Sequence, residues 1–141
     1  MALDRIFNIA GSALNAQIVR MNTTASNLAN AGTVAGSDAE AFRAKRANFK
    51  TILADQTSAQ PAPANGGVQV TNLSQDPSPI KRMNDPGNPL ADKEGFVYMS
   101  NVNEMTEMVE MMAASRSYQN NVEVVNTARL LLSKTIELLK T

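Results

Sequence analysis

Several residue types are missing or scarce in this chain of 141 residues. It contains no cysteine, no histidine and no tryptophan, and aromatic residues make up only 4% of it. Without cysteine there is no disulfide framework and no thiolate nucleophile, and without histidine the usual general base at neutral pH is absent. Neither a phosphate-binding loop nor an EF-hand pattern is present. We therefore predict a protein that is not an enzyme, with no catalytic, cofactor-binding or metal-binding residues.

The chain also lacks an excess of charge of either sign. It has thirteen basic and thirteen acidic residues, so its formal net charge is zero at pH 7 and no overall field attracts nucleic acid or an anionic membrane. No stretch approaches the roughly 20 apolar residues needed to cross a bilayer. The first residues form an amphipathic pattern, which differs from the basic and then apolar pattern of a cleavable signal peptide. We therefore expect no nucleic-acid partner, no membrane insertion and no cleaved signal.

The two ends of the chain are patterned as helices. Residues 103–141 contain no glycine and no proline, and their apolar residues recur at helical spacing, which predicts one helix of roughly 58 Å. Asn101 and Glu104 have the spacing of a capping box at its start. The N-terminal residues show a matching pattern, and Gly32 can end that helix. The stripes predicted to face each other comprise Leu3, Phe7, Leu14, Met21 and Leu28 on the first helix, and Met108, Met112, Tyr118, Val122, Val125, Leu132 and Ile136 on the second.

The middle of the chain differs in composition, because it holds all six prolines and five of the seven glycines. Periodicity leaves two alternatives for residues 42–53, a short helix or an extended segment. Residues 60–67 predict a turn or loop, whereas Val68 with Val70 and residues 95–99 predict short strands. The predicted fold class is therefore mainly α. Long N- and C-terminal helices (residues 1–32 and 103–141) pair as an antiparallel coiled coil, with a small irregular and β-containing insert (residues 33–102) between them.

Such a fold buries too little apolar surface by itself. Two facing helices bury only one stripe each, and the few aromatic residues argue against a large self-contained core. We therefore expect the remaining burial to come from other molecules, which predicts an assembly subunit that is partly disordered when alone. An independent dimer of helical hairpins is the alternative that the pattern leaves open.

Four stretches of the sequence resemble the rod proteins, a family of axial proteins of the bacterial flagellum. Residues 26–31 (SNLANA) look like the N-terminal rod signature, and residues 114–121 (ASRSYQNN) match the C-terminal one. Residues 85–92 (DPGNPLAD) and 95–103 (GFVYMSNVN) are similar to the proximal-rod type. The motif residues carried over from this resemblance are Asn27, Leu28, Ala29, Asn30, Ala31, Ser115, Arg116, Tyr118 and Asn121.

The resemblance implies a structural subunit of the proximal rod, which is a hollow periplasmic drive shaft that transmits torque and lets export substrates pass. It implies partners among copies of this chain and rod proteins of the FlgB, FlgF, FlgG and FliE types. It also implies export through the flagellar type III apparatus without a cleaved signal, and an extended conformation around Phe42. The competing interpretation is a soluble helical adaptor or export chaperone.

Overall fold

The computed structural model of the chain describes residues 2–52 and 66–139, and it describes side chains from residue 4 onward. Helix α1 (Ala2–Ala29) opens the chain and helix α2 (Glu104–Leu138) closes its described part. Between the helices lie five strands: β1 (Val34–Ala35), β2 (Lys45–Ile52), β3 (Gly67–Gln75), β4 (Lys81–Asn84) and β5 (Phe96–Met99).

The two helices pack against each other in opposite directions. Asn27, near the end of α1, hydrogen-bonds Glu107 at the start of α2, whereas Ile6 shares a groove with Leu131 near the other end. The side of α2 that faces α1 repeats every seven residues, which keeps it turned towards its partner. Its members, all buried or half-buried, are Glu107, Met111, Ala114, Tyr118, Asn121, Val125, Ala128 and Leu132.

Small side chains bring these helices close together. The buried apolar residues of the pair are alanines, including Ala10, Ala114 and Ala128. An alanine at a contact point lets the two backbones approach closely, so larger neighbours lie beside the contact line and stay half-buried. The start of α2 is fixed by Asn103, whose side chain accepts a hydrogen bond from the Thr106 N–H. The cap is therefore Asn103 and not Asn101, which the capping-box spacing predicted.

Strands β2 and β3 form a two-stranded antiparallel ribbon that lies along α1. The ribbon contains a bulge between Asn48 and Phe49. The Val68 N–H donates to Ser12 Oγ at 3.1 Å, and the Arg20 guanidinium lies over the Phe49 ring at 5.5 Å, a cation–π distance. Helix α1 therefore packs against α2 on one side and against the ribbon on another.

The remaining strands form an antiparallel sheet in the order β1-β5-β4. Its centre is Val97, which is completely buried. The loop that leads into β5 turns at Gly95, whose φ of +82° is a backbone conformation that side-chain-bearing residues rarely adopt. The Asp92 carboxylate holds this loop by accepting hydrogen bonds from the Glu94 and Phe96 N–H groups, both at 2.9 Å.

The fold class predicted from the sequence, mainly α with an antiparallel coiled coil and a small irregular and β-containing insert, is wrong, although the terminal helices do pair. The segment between the helices contains five strands in two antiparallel sheets, and α1 packs on the ribbon as well as on α2. The cause lies in the ribbon strands, KRANFKTI and GVQVTNLSQ, which are largely exposed. Exposed strands lack the strict alternation of apolar and polar residues by which strands are recognised.

Some of the strands in the insert were predicted from the sequence and others were not. Residues 45–52 are extended, which confirms the extended alternative for most of residues 42–53. Strands also occur at Val68 and over residues 96–99, as predicted. Strands β1 and β4 were not predicted. Most of the turn predicted at residues 60–67 lies outside the described residues.

The close approach of the ribbon to α1 depends on Gly67. A Cβ at this position would lie 2.9 Å from Ser12 Oγ, so Gly67→Ala should push the ribbon away and lower the free energy of unfolding by about 1–3 kcal/mol. Gly11→Ala is the matched control, because nothing lies within 4 Å of its added Cβ, and it should raise that free energy by about 0.5–1 kcal/mol. Urea denaturation measures both changes. Unchanged stability of Gly67→Ala would contradict the close contact.

The Asp92 loop predicts a specific loss of stability in acid. The Phe96 N–H, with smaller contributions from Glu94, Tyr98 and Arg82, holds the pKa of the Asp92 carboxyl below its ordinary value. A lowered folded-state pKa stabilises the protein fully above the unfolded value of about 3.9, and this contribution disappears as the pH falls through the folded pKa. Asp92→Asn should therefore be less stable than the wild type at pH 6, and this difference should shrink below about pH 4.

The measurement is urea unfolding at a series of pH values between neutrality and acid. Glu94→Gln is the control, because this exposed carboxylate is only two residues away and should keep the wild-type acid dependence. A stability difference between the wild type and Asp92→Asn that does not change with pH would show that the Asp92 charge does not stabilise the loop.

Candidate assembly interface

A polar junction joins the end of α1, the start of β2 and the start of α2. We define it by Asn27, Arg46, Asn101 and Glu107. The Asn27 amide both donates to the Lys45 carbonyl and accepts from the Lys45 N–H, each at 2.8 Å. These are the two bonds that a neighbouring strand would make, so the side chain pairs the backbone of β2 where that strand begins.

Glu107 brings a carboxylate into this junction. The residue is completely buried, and its Oε2 accepts a hydrogen bond from Asn27 Nδ2 at 3.0 Å. Its Oε1 lies 3.1 Å from an Arg46 nitrogen, but it accepts no well-aligned hydrogen bond from the described residues. The Arg46 contact is therefore an ion pair. A buried carboxylate is tolerated only when it is paired in this way.

Asn101 ties one end of the ribbon, where β2 begins and β3 ends, to the segment before α2. Its Oδ1 accepts from the Ala44 N–H at 2.7 Å, and its Nδ2 donates to the Asp76 and Ser78 carbonyls at 3.2 and 3.0 Å. The Asp76 carboxylate lies 3.6 Å from Arg46. Hydrogen bonds from the Ser78 hydroxyl and N–H hold the pKa of Asp76 below its ordinary value. The Asp76 charge therefore remains available to Arg46 at neutral pH.

Sequence reasoning singled out Asn27 as a motif residue but missed Glu107 and Asn101 as members of one cluster. A signal for Glu107 was present, because it occupies the first position of the repeat that faces α1. A carboxylate at an inward position of an amphipathic helix indicates a buried partner of opposite charge. For Asn101 we find no such signal, because its partners are backbone groups distant in sequence.

The structure divides the predicted stripes into two groups. The half-buried members are Phe7, Leu14, Met21, Leu28, Tyr118, Val122, Val125 and Leu132. Those that it leaves exposed are Met108, Met112 and Ile136. The Leu3 side chain lies outside the described part of the chain.

The motif residues also differ in burial. Those that are buried or half-buried are Asn27, Leu28, Asn30, Ala31, Ser115, Tyr118 and Asn121, and the exposed ones are Ala29 and Arg116. The Asn30 side chain donates to the Ser26 carbonyl at 2.8 Å within the last turn of α1. The N-terminal motif therefore ends the helix and supplies Asn27 to the junction.

Large apolar side chains are exposed along the side of α2 that faces away from α1. Met105 and Val109 are 71% and 58% exposed near its start, and Leu130 is 58% exposed near its end. An open apolar groove of about 380 Å³ lies near the other end of the helix pair, between Ile6 and the Val124–Leu131 part of α2. Exposed apolar surface of this kind is typical of sites that contact other molecules.

Within residues 2–52 and 66–139, neither α1 nor α2 contains an apolar run that could span a membrane. No group of three or more acidic side chains is placed within this part of the chain to hold a metal ion.

Asn27 should be essential to the junction. Asn27→Ala removes the partners of the Lys45 N–H and carbonyl and of Glu107 Oε2, and it should lower the free energy of unfolding by about 2–4 kcal/mol. Asn22→Ala, an exposed asparagine of the same helix, should change it by less than about 0.5 kcal/mol. Chemical denaturation of both variants measures the difference. Equal stability of the two would mean that the junction does not hold the fold together.

Comparison with known proteins gives matches at both ends of the chain. Residues 7–35 match the family model of flagella basal body rod proteins. Residues 93–138 match the model of the flagellar basal body rod FlgEFG protein C-terminal region. These ranges include most of α1 and α2 and the residues Asn27, Asn101 and Glu107 of the junction.

Several relatives are similar over nearly the whole chain. The flagellar basal-body rod protein FlgC of Escherichia coli O6:H1 is 51% identical over 138 residues, 98% of each chain. The FlgC of Salmonella typhimurium is 50% identical with the same coverage, and that of Bacillus subtilis is 34% identical over 93% of this chain and 94% of its own.

These similarities confirm the resemblance to rod proteins of the proximal-rod type. They also confirm that this protein is a structural component of the flagellar basal-body rod and not an enzyme. The chain belongs to the FlgC family of flagellar basal-body rod proteins.

Proposed function

We propose that this protein assembles through its terminal helices into the proximal rod, a hollow periplasmic drive shaft that transmits torque and lets export substrates pass. The observation that carries the proposal is the exposed apolar side of α2, which includes Met105, Val109 and Leu130. A folded single chain leaves this surface in water, and burial against neighbouring subunits would remove it.

The packing of α1 suggests that the two helices have different roles, with α1 used mainly for contacts within the chain. Because α1 already contacts both α2 and the ribbon, much of its surface is used within the chain. Helix α2 packs along α1 on one side, and its opposite side carries exposed methionines. Methionine side chains are flexible and adapt to surfaces of different shape. We therefore assign contacts between subunits chiefly to α2, including the predicted interface residues Met108, Met112 and Ile136.

Partners and export route follow from the family. The proposed neighbours are copies of this chain and rod proteins of the FlgB, FlgF, FlgG and FliE types. The flagellar type III apparatus is the proposed export route, used without a cleaved signal. The remaining candidate function, a soluble adaptor or export chaperone, would use the same apolar side of α2 to bind a partner but would never become part of the basal body.

A charge on the exposed side of α2 separates assembly from folding. Val109→Glu changes a side chain that is 58% exposed, so the helix content and free energy of unfolding should stay near the wild-type values. Incorporation into basal bodies should nevertheless fall at least about tenfold, because one buried unpaired charge costs more than 1.4 kcal/mol. Cells carrying this variant should not swim.

Two further variants complete the comparison. Val125→Asp, at a half-buried position facing α1, should lose both folding and swimming. Asn126→Asp, its exposed neighbour, should retain both. Circular dichroism, soft-agar swimming and immunoblots of isolated basal bodies provide the measurements. Normal incorporation of Val109→Glu would contradict the proposed interface, and absence of the wild-type protein from basal bodies would favour the adaptor.

A further inference from the structure

Three methionines lie exposed on one side of α2. Met105, Met108 and Met112 are 71%, 48% and 56% exposed, and their spacing of three and then four residues places them within an arc of about 60° around the helix axis. Met111 lies on the opposite side, which faces α1, and is half-buried. We call Met105, Met108 and Met112 the methionine cluster. It lies at the start of α2, on the side that we propose contacts other subunits.

The composition of the chain makes this cluster a target for oxidants. Cysteine and methionine are the residues whose side chains undergo reversible oxidation at sulfur, and the chain contains eight methionines and no cysteine. Met21, Met99 and Met111 are half-buried, and Met83 on β4 is the other exposed methionine within the described residues. A small oxidant therefore reaches the cluster and Met83 without any opening of the folded chain.

We propose that the methionine cluster is a site of reversible oxidation by hydrogen peroxide, and that its oxidation keeps a free subunit out of the rod. In this step the thioether sulfur takes one oxygen atom from the peroxide. The O–O bond breaks, an S–O bond forms, the sulfur loses two electrons, and the second oxygen leaves with both protons as water. Methionine sulfoxide reductases return the sulfoxide to the thioether.

The site does not require a preformed α2 in the free subunit. A sulfur on the exposed side of a helix faces water, and the same sulfur in a disordered segment faces water too. Assembly changes this exposure, because the proposed contacts with neighbouring subunits cover the cluster. Free subunits are therefore open to oxidation, and incorporated subunits are protected from it.

Oxidation turns an apolar surface into a polar one. The thioether of methionine is apolar and flexible, whereas the sulfoxide carries an oxygen that accepts hydrogen bonds. Burying such a group without a donor costs free energy, so the affinity of an oxidised subunit for its neighbours should fall at least about tenfold, which corresponds to 1.4 kcal/mol. This inference rests on the proposed function, because it requires the exposed side of α2 to contact other subunits.

The first test compares free and incorporated subunits from the same cells. Cells that lack methionine sulfoxide reductases and carry the wild-type chain receive a short pulse of hydrogen peroxide, the peroxide is removed, and rods are then allowed to grow. Mass spectrometry measures the sulfoxide fraction at each methionine in the soluble pool and in isolated basal bodies. The fraction at the cluster should be at least about tenfold lower in basal bodies, whereas the fraction at Met83 should be equal in both.

The second test replaces the sulfoxide by glutamine, whose side chain is also unbranched and polar. The triple variant Met105→Gln/Met108→Gln/Met112→Gln should keep the helix content of the wild type, since the two residue types have similar helix propensities. Its incorporation into basal bodies should nevertheless fall at least about tenfold without any oxidant. Met83→Gln is the matched control and should be incorporated at the wild-type level. Circular dichroism and immunoblots of isolated basal bodies provide the measurements.

Two results would each overturn the inference: equal sulfoxide fractions at the cluster in the soluble pool and in basal bodies, or normal incorporation of the triple glutamine variant. The Val109→Glu variant separates this failure from failure of the proposed function. If Val109→Glu is excluded from basal bodies while the triple variant enters, the oxidation site is rejected and the α2 interface stands. If both enter normally, the proposed interface is rejected as well.

Discussion

The buried carboxylate of Glu107 is the constraint on which the rest of the structure depends. A charge removed from water needs close partners of suitable geometry, and here they are Asn27 from α1 and Arg46 from β2. Because the amide of Asn27 also pairs the backbone of Lys45, one side chain connects both helices and the ribbon. Apolar packing alone would permit many alignments of these elements. The polar partners select one of them.

The rest of the packing follows from how α1 is enclosed. Alanines allow α2 to lie close on one side, and Gly67 allows the ribbon to lie close on another. Little of the burial therefore comes from large side chains, which fits a chain with few aromatic residues. Large apolar residues are instead exposed on α2, on the surface that we propose contacts other subunits. The same composition thus accounts for the modest core and for the surface that a rod subunit requires.

The helices were predictable because their apolar residues repeat over many turns, and such repetition is strong even without tertiary information. The ribbon was not predictable in detail, since β2 and β3 expose most of their residues and alternate only over a short part of β3, around Val68 and Val70. The apolar stripe predicted on α2 combined positions from two sides of the helix, with Met108 and Met112 exposed and Val125 turned inward. The junction could be foreseen only in part, because hydrogen bonds to distant backbone groups leave no pattern in the sequence.

Asn27 has a mechanical consequence. Its two hydrogen bonds to Lys45 are short and opposed, so the start of β2 can neither slide along α1 nor swing away from it without breaking both. Glu107 attaches α2 at the same place. Movement of the start of β2 relative to either helix therefore breaks hydrogen bonds at this junction, where Asn27 holds the ribbon and both helices together.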